Sequence, residues 1–213
     1  KEWSDLEIAN LNAPTQTVVG GPKEVLNDFT QACQQKGWRC AVIQGAAAAF
    51  HTSRMRPALS AWREHLQICA EQRAFHAPTR ARVIANLTAS PYPIDEAGAA
   101  DFIANSLHRQ VTSQVRWVET CQALHAAGVR LFIEVGPGQV LSKLVKQNLG
   151  DLPHRAIACS PKGDTPVWRR LARLLADQGI AATLSYAGRT DKPMSQPIAV
   201  RVGGFGGVAG LVD

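Results

Sequence analysis

Val129-Arg130-Leu131-Phe132-Ile133-Glu134-Val135-Gly136-Pro137-Gly138-Gln139-Val140-Leu141 is the stretch that sets the fold class of this 213-residue chain. Residues 129–135 are a short apolar run of strand length, and they stop at a glycine-proline turn. Past that turn Val140, Leu141, Leu144 and Val145 recur at helical spacing until Gly150. Upstream the same alternation continues. Val83 to Leu87 reads as a buried strand, and Ala97 to Leu107 and Trp117 to Ala127 read as helices. This pattern implies an α/β layer structure with at least some parallel strands.

Toward the N-terminus, Glu7 to Asn12 and Thr15 to Gly20 are short extended stretches on either side of Ala13-Pro14. Gly21-Pro22 then opens a helix whose apolar residues Val25, Leu26, Phe29, Ala32 and Cys33 share one stripe, and Gly37 closes it. Trp38 to Ile43 is extended again. The first 45 or so residues thus suggest a β-β-α-β unit of ferredoxin-like type. After the Ala46 to Ala49 run, Met55, Leu59, Trp62, Leu66 and Cys69 repeat at helical period with Thr52 or Ser53 as N-cap, so His51 stands just ahead of a helix start.

In the last third, Asp164-Thr165-Pro166 caps an amphipathic helix from Val167 to Gln178, followed by a short strand near Ala182 to Ser185. Ala187 to Asp213 holds Pro193, Pro197 and Gly203-Gly204-Phe205-Gly206-Gly207, has no period, and reads as linker or tail. That glycine run lacks the Lys-Ser/Thr ending and the following helix of a phosphate loop.

Composition narrows the function classes. With 46% hydrophobic residues the chain can bury a core. No apolar run reaches the roughly 20 residues that span a bilayer, and Lys1-Glu2-Trp3-Ser4-Asp5 lacks the layout of a signal peptide, so a soluble, cytoplasmic protein is expected. Cys33, Cys40, Cys69, Cys121 and Cys159 are odd in number and widely spaced, which suggests reduced core residues rather than a disulfide framework or a metal knuckle. The net charge of +6 admits an acidic protein partner or a phosphorylated ligand. Because the basic residues are scattered without interleaved aromatics, neither nucleic acid nor a membrane is expected as partner.

His51 is the one residue whose setting suggests acid–base chemistry, although an ordinary helix-flanking histidine would look the same. No nucleophile accompanies it. A serine nucleophile of the α/β-hydrolase kind sits on a strained strand-to-helix elbow written GxSxG, and none of the ten serines has that setting.

Four stretches taken in order resemble the acyltransferase domains of polyketide and fatty-acid synthases, the malonyl-CoA:acyl-carrier-protein transacylase family. Ile8-Ala9-Asn10-Leu11-Asn12-Ala13-Pro14-Thr15-Gln16-Thr17-Val18-Val19 resembles the family's Asn-Ser-Pro segment, with Ala13 where serine is usual. Phe50, His51, Met55 and Pro57 follow its order of Phe-His, Met and Pro. Gln110-Val111-Thr112-Ser113-Gln114-Val115-Arg116-Trp117 resembles its Gln-x-x-x-Pro-Val-x-Trp stretch with Gln114 in place of proline, and Glu134-Val135-Gly136-Pro137-Gly138 resembles its closing turn. The resemblance covers roughly residues 7–150 and concerns a C-terminal part of the family's domain.

It implies a ferredoxin-like small subdomain over 1–47, the C-terminal part of an α/β-hydrolase-like large subdomain over 48–150, and a post-acyltransferase linker with a flexible tail over 151–213. His51 matches the family's catalytic histidine, and Gln110 the position whose backbone carbonyl orients it; a polar residue near a helix end is the plainer reading of Gln110. Asn10 and Asn12 match paired asparagines near the site, though turn-forming residues beside Pro14 would also be asparagine. Phe50 matches the position where malonyl-loading members carry Phe and methylmalonyl-loading members carry Ser, a ring there filling the space of an α-methyl group. Ala48 stands where the malonyl pattern often has a histidine, which leaves malonyl against acetyl or another small acyl group open. Glu134 and Gly136 to Gly138 are expected to be structural.

The resemblance also implies that the serine elbow, the oxyanion hole and the arginine that pairs with the malonyl carboxylate belong to a segment upstream of Lys1. The expected activity is transfer of a malonyl-type group from coenzyme A to the phosphopantetheine thiol of an acyl carrier protein, with no covalently bound cofactor and no metal. The expected partners are the carrier protein, the serine-bearing segment and neighbouring synthase domains. A non-catalytic docking or structural module of a large synthase is the alternative.

Overall fold

The computed structural model describes residues 3–43, 48–76, 78, 81–93, 98–160, 167–177 and 209–210. It opens with β1 (Glu7–Ala13) and β2 (Gln16–Gly20), paired antiparallel from Glu7↔Gly20 to Ala13↔Gln16. Pro14 lies in the turn between them, where a residue that has no N–H and cannot continue a helix is suited. α1 (Lys23–Gln35) starts directly behind Pro22 and ends before Gly37, which takes a φ of +72°. Only a residue without Cβ adopts that conformation at no steric cost.

Trp38 to Ile43 form no strand, which corrects the β-β-α-β expectation. The Trp38 N–H bonds back to the Cys33 carbonyl at 2.9 Å, and the following segment runs exposed, Trp38 itself at 61%. Among the described residues these positions have no neighbouring strand to pair with.

The helix expected to follow His51 is divided. A 3₁₀ turn (Ser53–Ala58) contains Pro57, and regular helix begins only with α2 (Leu59–Glu71). Pro57 cannot donate and restricts the residue before it, so the chain takes tighter turns before settling into α geometry. Thr52 does occupy the N-cap position, but its hydroxyl donates to the Ala49 carbonyl at 2.6 Å and leaves the turn uncapped by its own side chain.

The strand expected over Val83 to Leu87 shrinks to β3 (Ile84–Ala85), paired antiparallel with β4 (Ser90–Pro91). Thr88 and Ala89 both donate their N–H to the Ala85 carbonyl, and Ala89 is left-handed, so the chain has already turned. α3 (Ala99–Gln110) packs along α2, and the Trp62 indole N–H bonds the Leu107 carbonyl at 3.1 Å. α4 (Trp117–Ala126) follows after a short loop. That loop is strapped to β1: Leu11 N–H donates to Val115 O at 3.0 Å and Val115 N–H to Ala9 O at 2.8 Å.

By its internal contacts the chain divides into two compact units, Lys1–Ala123 and Leu124–Asp213. The second unit contains the stretch from which the fold was read. β5 (Leu131–Pro137) leads through the Gly-Pro-Gly turn into α5 (Val140–Leu149), and β6 (Arg155–Ser160) returns parallel to β5 in register Leu131↔Arg155. α6 (Val167–Asp177) follows, and β7 (Ala209–Gly210) pairs antiparallel on the other edge of β5. Alternation along β5 sorts its side chains by face. Ile133 packs with Cys159, Leu171 and Leu175, backed by Leu131, Val135 and Leu174. Glu134, facing the opposite way, accepts from Leu141 N at 3.1 Å, Ser142 N at 2.8 Å and Ser142 Oγ at 2.7 Å, which caps α5.

Residues 155–160, read from sequence as connector, are therefore a sheet strand, and Ala209-Gly210 within the expected tail also pairs. Alanines in Ala156-Ile157-Ala158-Cys159 are small enough to weaken a hydrophobic signal without weakening the strand. The Asp164-Thr165-Pro166 cap, the strand expected near Ala182 to Ser185 and the Gly203 to Gly207 run lie outside the described residues.

Gly20, at the end of β2, ties the hairpin to the segment around His51. A Cβ at Gly20 would stand 2.9 Å from Thr52 Cγ2 and 3.1 Å from Ala49 Cβ, closer than side chains tolerate. Gly20→Ala is expected to lower unfolding stability by about 1–3 kcal/mol through overpacking, read as a lower urea midpoint at unchanged slope. An unchanged midpoint would show that the Ala49–Thr52 turn gives way freely.

Candidate active site

The C-terminus of α3 presents carbonyls that have no partner within the helix. Two of them meet His51. Its N–H donates to Val111 O at 3.0 Å, and its Nδ1 lies 2.9 Å from Gln110 O. A carbonyl only accepts, so Nδ1 carries the proton and Nε2 keeps the lone pair, the tautomer a general base requires. The Gln110 amide Nε2 lies 3.4 Å from the same Nδ1 and 3.2 Å from Ser113 O. Since two donors cannot bond each other, the amide serves Ser113 and its role in fixing the ring falls to the backbone. Gln110 Oε1 is buried with no hydrogen-bond partner.

His51 itself has a left-handed backbone, φ +65°. For a residue with a Cβ this conformation is strained by about 1–2 kcal/mol, and histidine is among the types found there more often than most. The strain is supported on both sides. Before it stands the bond to Val111; after it come the buried Thr52, bonded to Ala49, and Ser53, whose N–H and Oγ donate to the Glu7 carboxylate at 2.9 and 2.6 Å. Those two bonds, the hydroxyl's first, hold the Glu7 carboxyl below the usual carboxylate range; burial opposes them, and the charges of Arg54 and Arg56 add to them. A depressed carboxyl stabilises the fold above its ordinary range, and the contribution disappears as pH falls through the folded value.

The remaining residues singled out in the sequence are placed as follows. Phe50, directly before His51, is 53% exposed. Asn10 lies in β1, where the backbone bridge to Val115 ties it to the loop that follows Gln110. Asn12 donates from Nδ2 to Gln16 Oε1 at 3.3 Å within the β1–β2 hairpin. The structure thus brings His51 and Gln110 together directly, sets Phe50 beside them, and links Asn10 to them through main chain. Sequence reading overlooked Glu7, Ser53 and the Val111 carbonyl. Glu7 and Ser53 are 46 residues apart and match no local spacing rule, so nothing in the sequence paired them.

No family model matches the chain. Over 144 residues, 68% of its length, it is 38% identical to the polyketide biosynthesis protein ThaF of Burkholderia thailandensis, of which that match covers 12%. A malonyl CoA-acyl carrier protein transacylase of Haemophilus influenzae is 31% identical over 152 residues, 71% of this chain and 46% of that protein. The crystal structure of an acyl-carrier-protein S-malonyltransferase of Burkholderia pseudomallei superimposes with a TM-score of 0.63 at 30% identity, over 80% of this chain and 50% of that one. A malonyl-transacylase solved in complex with a type II polyketide acyl-carrier protein matches with a TM-score of 0.62 at 26% identity, again over 80% and 50%. A separate match spans only 51 residues, 24% of this chain, yet reaches 63% identity with the precorrin-6A reductase of Rhodobacter capsulatus, covering 20% of it. The chain spans half the length or less of these relatives. Over about two thirds of its length it is homologous to malonyl-CoA:acyl-carrier-protein transacylases and to the acyltransferases of polyketide synthases, and a C-terminal part of their domain fits the match.

Proposed function

We propose that this chain is the histidine-bearing part of an acyltransferase that moves a malonyl-type group from coenzyme A to the phosphopantetheine thiol of an acyl carrier protein. The observation that carries this reading is the 2.9 Å contact between His51 Nδ1 and the Gln110 carbonyl, which leaves Nε2 as the base. On this reading the serine belongs to a segment outside the chain. Nε2 takes the proton from that serine as its oxygen attacks the thioester carbonyl. The C–S bond breaks when the tetrahedral intermediate collapses, and the proton passes to the departing coenzyme A sulfur. In the second half the carrier's thiol gives its proton to Nε2 and attacks the acyl-serine, and the serine oxygen leaves with the proton returned.

In this scheme Gln110 orients the imidazole through its carbonyl without adding a charge. Phe50 bounds the acyl pocket, and Asn10 and Asn12 stand near the substrate. The net charge of +6 favours an acidic carrier protein. Residues 1–47 correspond to the small ferredoxin-like subdomain, without its last strand among the described residues, and 48–150 to part of the large one. Among the described residues no helix is long and apolar enough to cross a membrane.

Incubating the protein with its serine-bearing partner and malonyl-CoA, and weighing every polypeptide intact, is expected to show a malonyl adduct on the serine-bearing chain. His51→Ala is expected to slow its formation about 10²–10⁴-fold. Equal rates in both would sink the catalytic reading and favour the docking or structural alternative. In the same assay Phe50→Ser is expected to shift the preference toward methylmalonyl by roughly 10-fold or more, the scale set by one extra carbon in an apolar pocket.

A second reading concerns the rest of the chain. The 51-residue match to the precorrin-6A reductase is far higher in identity than the transacylase matches described above. On this reading the match falls in the C-terminal part of the chain, within 151–213. On this reading a reductase-type segment, rather than the acyltransferase's own linker, follows the acyltransferase part. In extracts of the native source, antibodies against residues 51–76 and against residues 187–213 are expected to mark one and the same band; two separate bands would refute the join.

A further inference from the structure

We propose that Glu7 is a positioning residue for His51: its carboxylate, holding both the N–H and the hydroxyl of Ser53, fixes the left-handed turn that aims the imidazole at the Gln110 carbonyl. Its bearing on catalysis rests on the acyltransferase reading, whereas its effect on the histidine's geometry does not.

Three observations converge on this pair. First, His51 occupies a strained conformation, φ +65°, that relaxes unless its neighbours over-determine it. Second, the residue placed to cap the following 3₁₀ turn does not do so, because the Thr52 hydroxyl is committed to the Ala49 carbonyl at 2.6 Å. The exposed N–H groups at the turn's start therefore need another acceptor, and the Glu7 carboxylate supplies it at 2.9 Å while taking the Ser53 hydroxyl at 2.6 Å. Third, Glu7 and Gly20 are register partners across β1 and β2. Gly20 abuts the Thr52 methyl, where a Cβ would come within 2.9 Å, so one cross-strand pair grips two consecutive residues after the histidine. The hairpin thus holds residues 52 and 53 from two sides, which resists relaxation of the strained turn at 51.

The test uses the whole chain with ¹⁵N-labelled histidine, the His51 signals being assigned by their loss in His51→Ala. In the unaltered protein the Nδ1–H tautomer is expected to predominate at neutral pH. Glu7→Ala is expected to cost roughly half of that signal as the ring samples both tautomers, and Glu7→Gln, which keeps one acceptor for Ser53, to restore most of it. Ser53→Ala, which removes only the hydroxyl bond, is expected to fall between the two and stands in if Glu7→Ala fails to fold. A His51 tautomer ratio unchanged in Glu7→Ala or Ser53→Ala, even with a lowered melting temperature, would reduce Glu7 to a merely stabilising residue and overturn the proposal. If malonyl transfer is absent while the tautomer responds to Glu7, the acyltransferase reading fails and the positioning role stands.

Discussion

A helix that ends leaves carbonyls with nothing to bond, and the candidate site of this protein is built on that deficit. α3 stops at Gln110, and the carbonyls of Gln110 and Val111 are met by the ring and the main chain of His51. The two partners come from segments 59 residues apart, so the arrangement depends on everything that fixes those segments: β1 straps the loop after α3 through Val115, and the β1–β2 hairpin holds the turn after His51. Neither constraint is large alone. Together they leave the imidazole one orientation, with a single nitrogen able to take a proton.

The two units meet the complementary deficit, unpaired N–H groups at the start of a helical segment, in the same way. In the second unit Glu134, on β5, accepts from Leu141 and Ser142 at the start of α5. In the first, Glu7, on β1, accepts from Ser53 at the start of the 3₁₀ turn. Each carboxylate is set on a strand and reaches across to a neighbouring element, where it satisfies orphan donors and also meets the favourable end of their aligned dipoles. A strand is stiff, so a cap anchored on it sets direction as well as stability. In one case it aims a helix along the sheet; in the other it fixes the segment that carries the candidate base.

What could be read from the sequence divides along local and distant interactions. β5, α5 and α1 were legible because their apolar patterns are local and each ends in glycine: the Gly136-Pro137-Gly138 turn, Gly150 and Gly37. His51 and Gln110 were legible only as members of an ordered set of motifs, since a single histidine before a helix carries little information. β6 escaped because two of its residues are alanine, too small to register as a hydrophobic run although the strand is well paired. The strand expected at Trp38 to Ile43 shows the reverse error: its composition suits a strand, but among the described residues no neighbour completes it. Glu7 and Ser53 were invisible because a bond between residues 46 apart depends on the tertiary arrangement and on no local rule.

The positive φ at His51 also acts as a filter on replacement. Glycine would occupy that conformation without strain and asparagine with little, whereas valine, isoleucine or threonine would force the turn open. A chain relieved of any need for an imidazole could therefore drift to glycine or asparagine at this position and gain stability by doing so. Histidine is instead found in a backbone state that penalises it, with its ring N–H on the Gln110 carbonyl. Residue 51 is thus a point where backbone ease and side-chain chemistry pull in opposite directions, and the residue found there serves the chemistry at the backbone's expense.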